Sequence, residues 1–227
     1  MINIVLDIIN YILVAILIGV SATWIVLIKS MLRTFNESPF LDKFEKKECA
    51  KPKVSIILPA RNEEKFIEKC LNSLLNQDYD NYEIITINDS STDSTGNIIK
   101  EYSKKFPKII SVDAKPKPDG WIGKNWACIE GYKKASGDLL LFTDADTTHT
   151  GSVISLAVSH LLSLELDALT VIPRMLCLDK ITKITLPMIS TFLHTRFSAL
   201  RVNDTSKGTG YFFGSFFIIK KSTYDSV

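Results

Sequence analysis

Val54-Ser55-Ile56-Ile57-Leu58 runs straight into Pro59-Ala60-Arg61-Asn62-Glu63-Glu64. A short β-branched run without charge, ending abruptly in polar residues, is how a strand buried on both faces and open at its carboxyl end is written. The figure recurs downstream. Strands are predicted over Val54 to Leu58, Tyr82 to Ile87, Ile109 to Val112, Leu139 to Phe142, Leu169 to Ile172 and Ser215 to Ile219. Helical patterns fill the gaps between the first four, at Glu63 to Asn76, Thr92 to Phe106 and Asn125 to Ala135, the last with Gly137 as its C-cap. Such alternation specifies an α/β fold, a mostly parallel sheet flanked by helices.

Sheets of this kind take ligands beyond the carboxyl ends of their strands. Here those ends are polar: Pro59 to Glu64 after the first strand, Asn88-Asp89-Ser90-Ser91-Thr92-Asp93 after the second, Thr143-Asp144-Ala145-Asp146 after the fourth. No G-x-G-x-x-G follows the first strand and no G-x-x-x-x-G-K-[ST] occurs, which counts against a dinucleotide dehydrogenase and a P-loop phosphotransferase. Asp144 and Asp146 stand two apart in an extended segment, so both face one point while Ala145 turns toward the sheet. A diphosphate brought there meets repulsion of roughly 4 kcal/mol per unit-charge pair at ~4 Å and an effective dielectric near ~20. A bridging Mg²⁺ or Mn²⁺ relieves it, since both take carboxylate and phosphate oxygens together. Turns and helix N-caps also favour aspartate, so it is the position after a buried strand that gives this D-x-D its meaning. Asp89 reads either as an N-cap or as the acceptor for the N3 hydrogen of uracil, in which case Ser91 or Thr92 caps the helix.

Together VSIILPARNEEKFIEKCLNSLLNQDY, EIITINDSSTDST and GKNWACIEGYKKASGDLLLFTDAD resemble the family 2 glycosyltransferases with a GT-A fold, over residues 53 to about 220. The resemblance implies that Pro59, Ala60, Arg61 and Glu63 line the nucleoside pocket, that Asp89 meets uracil and that Lys124 reaches the diphosphate. It implies ribose or metal contact for Asp144 and makes Asp146 the main metal ligand. The implied activity is metal-dependent, inverting transfer from a UDP-sugar. Asp119-Gly120-Trp121-Ile122-Gly123-Lys124-Asn125-Trp126-Ala127, with Thr143-Asp-Ala-Asp-Thr147 and His149, is similar to the subgroup acting on lipid acceptors, such as carotenoid-pathway and ceramide glucosyltransferases. In inverting members the general base is an aspartate beyond a glycine-containing strand similar to Gly214 to Lys221. The carboxylate after Gly214 is Asp225, set in a helix start, so no base is assigned, and the Arg/Gln-x-x-Arg-Trp motif of processive relatives is absent. The domain from 53 to 227 therefore reads as truncated at its C-terminal end, able to bind donor but poor in transfer.

The first thirty residues differ in kind. From Ile8 to Ile28 no charge interrupts the run, which matches the ~20 residues a helix needs to cross ~30 Å of hydrocarbon. Apolar residues lie all round it, unlike an amphipathic core helix, and Asp7 without a preceding Lys or Arg is unlike a signal peptide. Lys29, Arg33, Lys43, Lys46 and Lys47 follow, so the positive-inside rule sets the rest of the chain in the cytoplasm, despite Glu37, Asp42, Glu45 and Glu48. The expected organisation is a membrane anchor over 1–30, a linker over 31–52 and the transferase domain over 53–227, held at the cell membrane.

With 27 basic and 25 acidic residues among 227, the net charge of +2 gives no basic stripe for nucleic acid. Cys49, Cys70, Cys128 and Cys177 make no C-x-x-C pair and read as reduced cytosolic thiols. Gly120 and Gly123 flank Trp121 ahead of a helix starting near Asn125, which favours phosphate contact by Lys124 over a solvated lysine. His149 reads as a polar loop residue with a ligand role as its alternative; His160 and His194 receive no role. Ile184 to Val202 is either core or a helix in the membrane interface, and Gly208, Gly210 and Gly214 among Tyr211, Phe212 and Phe213 suggest a wall for acceptor or sugar. Two other classes compete. One is a catalytically incomplete nucleotide-sugar-binding membrane protein, which would bind donor without turnover. The other is a sugar nucleotidyltransferase, which needs a glycine-rich basic loop after the first strand that Pro59 to Glu63 does not offer.

Overall fold

A computed structural model describes residues 2–37, 40–47, 49–177 and 179–226, so Glu48 lies outside the described residues. The chain forms two compact units, one of residues 1–39 and 175–211, the other of residues 40–174 and 212–227. These boundaries differ from the expected ones. The N-terminal helix α1 (Ile2–Glu37) runs beyond residue 30, and the second half of the stretch read as a linker is docked. Lys47 exchanges backbone hydrogen bonds with Ser159 Oγ (2.9 and 3.1 Å), and Phe44 meets His160 edge-on at 4.2 Å.

The larger unit holds strands β1 (Val54–Ala60), β2 (Tyr82–Asn88), β3 (Ile109–Asp113), β4 (Leu139–Thr143), β5 (Ala168–Thr170) and β6 (Phe216–Lys220), in the order β3-β2-β1-β4-β6-β5. The first four are parallel, with Val54 beside Tyr82 and Leu139; β6 runs antiparallel to both β4 and β5. All six predicted strands are present, and the sheet is mostly parallel as expected. Ile172 falls outside β5 and is exposed.

Alternation along the central strands divides the core. Ile56, Leu58, Ile84 and Leu141 pack on one face against α2 (Ile67–Leu75), α3 (Thr95–Lys105) and α5 (Val153–Ser163). Ile57, Ile85, Ile87 and Leu140 pack on the other, against α4 (Gly123–Tyr132) and the short α8 (Lys221–Tyr224). Burying each such side chain contributes about 1.5–3 kcal/mol, which is why these strands carry no polar face. Helix α4 lies so close to the sheet that a Cβ at Gly131 would stand 2.6 Å from Ile87 Cδ1.

Two helices start later than the sequence suggests. Backbone near Glu63 makes a single turn before α2 begins at Ile67, and α3 begins at Thr95 rather than Thr92. The cause is a competing set of bonds between the exits of β1 and β2. Asn62 N–H donates to Ser91 Oγ (3.2 Å), Thr92 N–H to Asn62 Oδ1 (2.8 Å) and Glu63 N–H to Thr95 Oγ1 (2.8 Å). Ser91 and Thr92 therefore do not cap α3; Asp93 Oδ1 accepts from Thr95 N–H at 3.0 Å. Asn62 and Ser90 both take left-handed backbone, φ 57° and 55°, uncommon for residues other than glycine.

At the amino end of the sheet Glu83 is buried. Its carboxylate accepts from Lys53 Nζ (2.6 Å), Ser55 Oγ (2.6 Å) and Ser136 N–H (2.8 Å). Burial alone would raise its pKa, but these donors overcome that and bring it down to about 2. Gly137 N–H donates to Ser55 Oγ at 2.8 Å. Gly137 is not the C-cap of α4, which ends at Tyr132; a Cβ there would lie 2.6 Å from the Lys53 carbonyl oxygen, so close backbone approach requires the glycine.

The smaller unit holds α1, α6 (Lys180–Phe197) and the one-turn α7 (Ala199–Val202), which touches both. Asp179 caps α6, accepting from Thr182 N–H at 2.7 Å, and Ser30 Oγ lies 3.3 Å from His194 Nε2. By length and composition α1 can cross a membrane.

Two outcomes follow for stability. Glu83→Gln lowers stability at pH 7 by ~1–3 kcal/mol, because a charge-assisted set of bonds becomes mismatched. A carboxyl depressed in the folded state stabilises above its unfolded pKa, so the difference from wild type shrinks as pH falls below the ordinary Glu value toward about 2. Thermal melts across that range check it. Gly137→Ala costs ~1–3 kcal/mol by overpacking, read the same way.

Candidate active site

Carboxyl ends of parallel strands in register bring their exit loops to one rim. On it lies a cavity of about 320 Å³ lined by Pro59, Ala60, Arg61, Glu63, Asp89, Gly123, Lys124, Asp144, Ala145 and Asp146. All eight residues singled out from the sequence are among them. Gly123 and Ala145 are the additions, and each is the neighbour of a residue already named.

The β1 exit supplies Pro59 to Glu63. Asp89 N–H donates to the Ala60 carbonyl at 2.9 Å, so the second exit is pinned to the first. Arg61 Nη1 lies 3.8 Å from Asp89 Oδ2. A Cβ on Gly123 would stand 3.5 Å from that same oxygen, which places the start of α4 beside the aspartate. Lys124, in the first turn of α4, forms an ion pair with Asp144. Gly214 approaches the same ammonium, its Cβ position 3.6 Å from Lys124 Nζ, whereas Gly208 and Gly210 belong to the other unit.

Beyond β4 the chain turns, with Ala145 buried in the core and Asp144 and Asp146 on the cavity side. Negative charge accumulates: Glu63 is held above the ordinary carboxylate range by burial and then by Asp146 and Asp144. Cys70, beneath them with its thiol 3.6 Å from the Asp144 carbonyl, is pushed up to about 12 by burial and the same acids. That thiol stays protonated, in keeping with a packing role. Asp225 lies elsewhere: it accepts from Tyr132 Oη and borders a separate depression with Ser136 and Asp138 at the amino end of β4.

His149 is a buried support rather than a polar loop residue or a cavity ligand. Its Nε2 is 3.1 Å from Thr143 Oγ1, its backbone N–H donates to Ser73 Oγ at 3.1 Å, and burial pushes the imidazole pKa down to about 4. Thr143 Oγ1 also donates to the Ser215 carbonyl at 2.8 Å. His149 thus joins α2 through its backbone N–H and Thr143 through its neutral imidazole, while the Thr143 hydroxyl ties the start of the aspartate turn to the segment entering β6. Sequence spacing carries no signal for this, because Ser73 and Ser215 come from segments more than seventy residues away.

The donor set suits a hard divalent ion. Among the described residues no group of three or more His, Cys, Asp and Glu side chains is gathered as a complete cage. Asp144 and Asp146 offer carboxylate oxygens only, and an ion such as Mg²⁺ commonly takes one or two carboxylates and completes its shell with phosphate and water.

Residues 55–227 match the family described as Glycosyl transferase family 2. A probable glycosyltransferase, YdaM, of Bacillus subtilis (strain 168) is 35% identical over 142 residues, covering 58% of this chain and 33% of that protein. The 4,4'-diaponeurosporenoate glycosyltransferase of Staphylococcus haemolyticus (strain JCSC1435) is 40% identical over 93 residues, covering 41% of this chain and 24% of that protein. This chain thus spans about a third or less of the length of these curated relatives. Among solved structures, the mannosyltransferase PcManGT of Pyrobaculum calidifontis, in complex with GDP-Man and Mn²⁺, superposes with a TM-score of 0.62 at 19% identity, over 92% of this chain and 56% of that one. That likeness establishes the GT-A fold. With the family model spanning both the sheet and its polar rim, the chain belongs to glycosyl transferase family 2.

Proposed function

We propose that this chain carries the donor site of a membrane-anchored glycosyltransferase that moves a sugar from a UDP-sugar to a membrane-associated acceptor, a lipid or a glycan, in a metal-dependent and inverting reaction. One observation carries the reading: four acids and two bases, drawn from the exits of three parallel strands and the start of α4, line a single cavity. The relative named for diaponeurosporenoate supports a hydrophobic acceptor, and the fold neighbour held with GDP-Man and Mn²⁺ supports a nucleotide-sugar and a divalent ion.

In this reading Asp89 accepts the N3 hydrogen of uracil, with the Arg61 guanidinium 3.8 Å from its Oδ2. Pro59 and Ala60 form an apolar edge for the nucleoside, and Glu63 closes that side. Lys124 leaves Asp144 to meet the diphosphate, and Gly214 leaves room for the ammonium to turn. Asp144 and Asp146 hold Mg²⁺ or Mn²⁺, which when bound supplies Lewis-acid stabilisation of the leaving diphosphate. The acceptor hydroxyl attacks the anomeric carbon as the bond to the diphosphate breaks. No residue lining the cavity is assigned to take the hydroxyl proton. Helix α1 anchors the chain in the cell membrane, with the basic residues from Lys29 onward on the cytoplasmic side.

Calorimetry tests the donor site. Mn²⁺ raises the affinity of the wild-type chain for UDP, and Asp146→Ala removes that increment; equal wild-type affinity with and without metal sinks the reading. Asp89→Ala weakens UDP binding by about 10- to 100-fold, the worth of a bond to a charged group, and erases the preference for UDP over CDP. An unchanged preference would show that Asp89 does not read the base.

A further inference from the structure

The stretch Ile184 to Val202 reads from sequence as core or as a membrane-interface helix; in the structure it falls on α6 and α7, neither of which has a buried residue. Ile181, Ile184, Met188 and Phe192 are 74%, 68%, 68% and 72% exposed. Their spacing, i, i+3, i+7 and i+11, places them in one stripe along the helix. Thr182, Leu186, Leu193 and Phe197 are half-buried on another side, so the stripe is not what packs α6 into its unit.

Charge around the stripe is one-sided. Between Lys180 and Asn203 there is no acid, while Lys180, Lys183, Arg196 and Arg201 are basic. At 3.6 residues per turn, Lys180 and Arg196 fall at the two edges of the stripe and Ser190 opposite it. Position within the unit adds an independent constraint. His194 Nε2 lies 3.3 Å from Ser30 Oγ, and Ser30 stands two residues beyond the end of the uncharged run Ile8 to Ile28, just after Lys29. If that run spans the bilayer, the contact sets α6 at the level of the lipid headgroups.

We propose that α6 is an interfacial helix whose stripe of Ile181, Ile184, Met188 and Phe192 sinks into the acyl boundary of an anionic bilayer, with Lys180 and Arg196 on the headgroups. Apolar burial and attraction to anionic lipid act together in such helices. This rests on the anchor reading of α1, and the experiment separates the two.

The full chain is reconstituted into vesicles of phosphatidylcholine, with or without phosphatidylglycerol, containing lipid brominated on its acyl chains. Emission added by Met188→Trp, Phe192→Trp and Ser190→Trp is measured against the parent chain. The expected result is quenching at 188 and 192 but not at 190. Neutralising Lys180 or Arg196 to Gln should lower the docked-to-undocked ratio about fivefold each with phosphatidylglycerol present and little without it. Tryptophan at 188 that bromolipid leaves bright and acrylamide quenches overturns the inference, since the stripe then faces water. Shielding from both quenchers that disappears on dilution in detergent also overturns it, by showing a second copy on the stripe. Carbonate extraction of the parent chain reports on α1 alone: release from the vesicles refutes the anchor, while quenching at 188 still decides α6.

Discussion

Crowded negative charge on the rim is the constraint around which the larger unit is arranged. Glu63, Asp89, Asp144 and Asp146 border one cavity, and burial with mutual repulsion already displaces the Glu63 carboxyl upward. Such a grouping relaxes by swinging apart unless the backbone beneath it is fixed. Here the fixing is dense. The register of β1 between β2 and β4 sets where each exit begins, Asn62 and Ser91 stitch the first exit to the second, and Thr143 with His149 anchors the turn that carries the aspartates. Lys124 offsets one of the four charges by pairing with Asp144, which leaves Asp146 as the acid on the exposed side of the turn.

Strands were legible because each is a short apolar run, and in β1, β2 and β4 burial on both faces leaves that signature no freedom. All six are present with ends within two residues of expectation. The rim was legible for the same reason, since a residue placed just after a buried parallel strand has one place to go. Helix starts were less so. Thr92 and Glu63 sit in sequences that favour helix initiation, but the hydrogen bonds that displace them involve residues about thirty positions away, invisible to any local pattern. Gly137 looked like a terminator and is instead the point where the chain passes against Lys53 and Ser55. His149 looked like a loop residue because nothing local shows that α2, through Ser73, comes to meet it.

Residues 175–211 show a different limit. Hydrophobicity there is evident from the sequence, but whether it faces protein or something else depends on three-dimensional accounting. Thr182, Leu186 and Leu193 are half-buried, while Ile181, Ile184, Met188 and Phe192 are exposed. An amphipathic period tells that a helix has a preferred side; only packing tells how many sides are already occupied.

Glu83 and the cavity occupy opposite ends of the same strands. From Glu83 to Asp89 the chain advances six residues, roughly 20 Å at the rise of a strand. Energetic effects of changes that far apart, sharing no partner, add almost independently. Folding security is thereby insulated from chemistry: the rim can be rewritten for another base or sugar while the clamp on Lys53, Ser55 and Ser136 keeps the sheet intact. A scaffold wired in this way can diversify its specificity without first acquiring surplus stability.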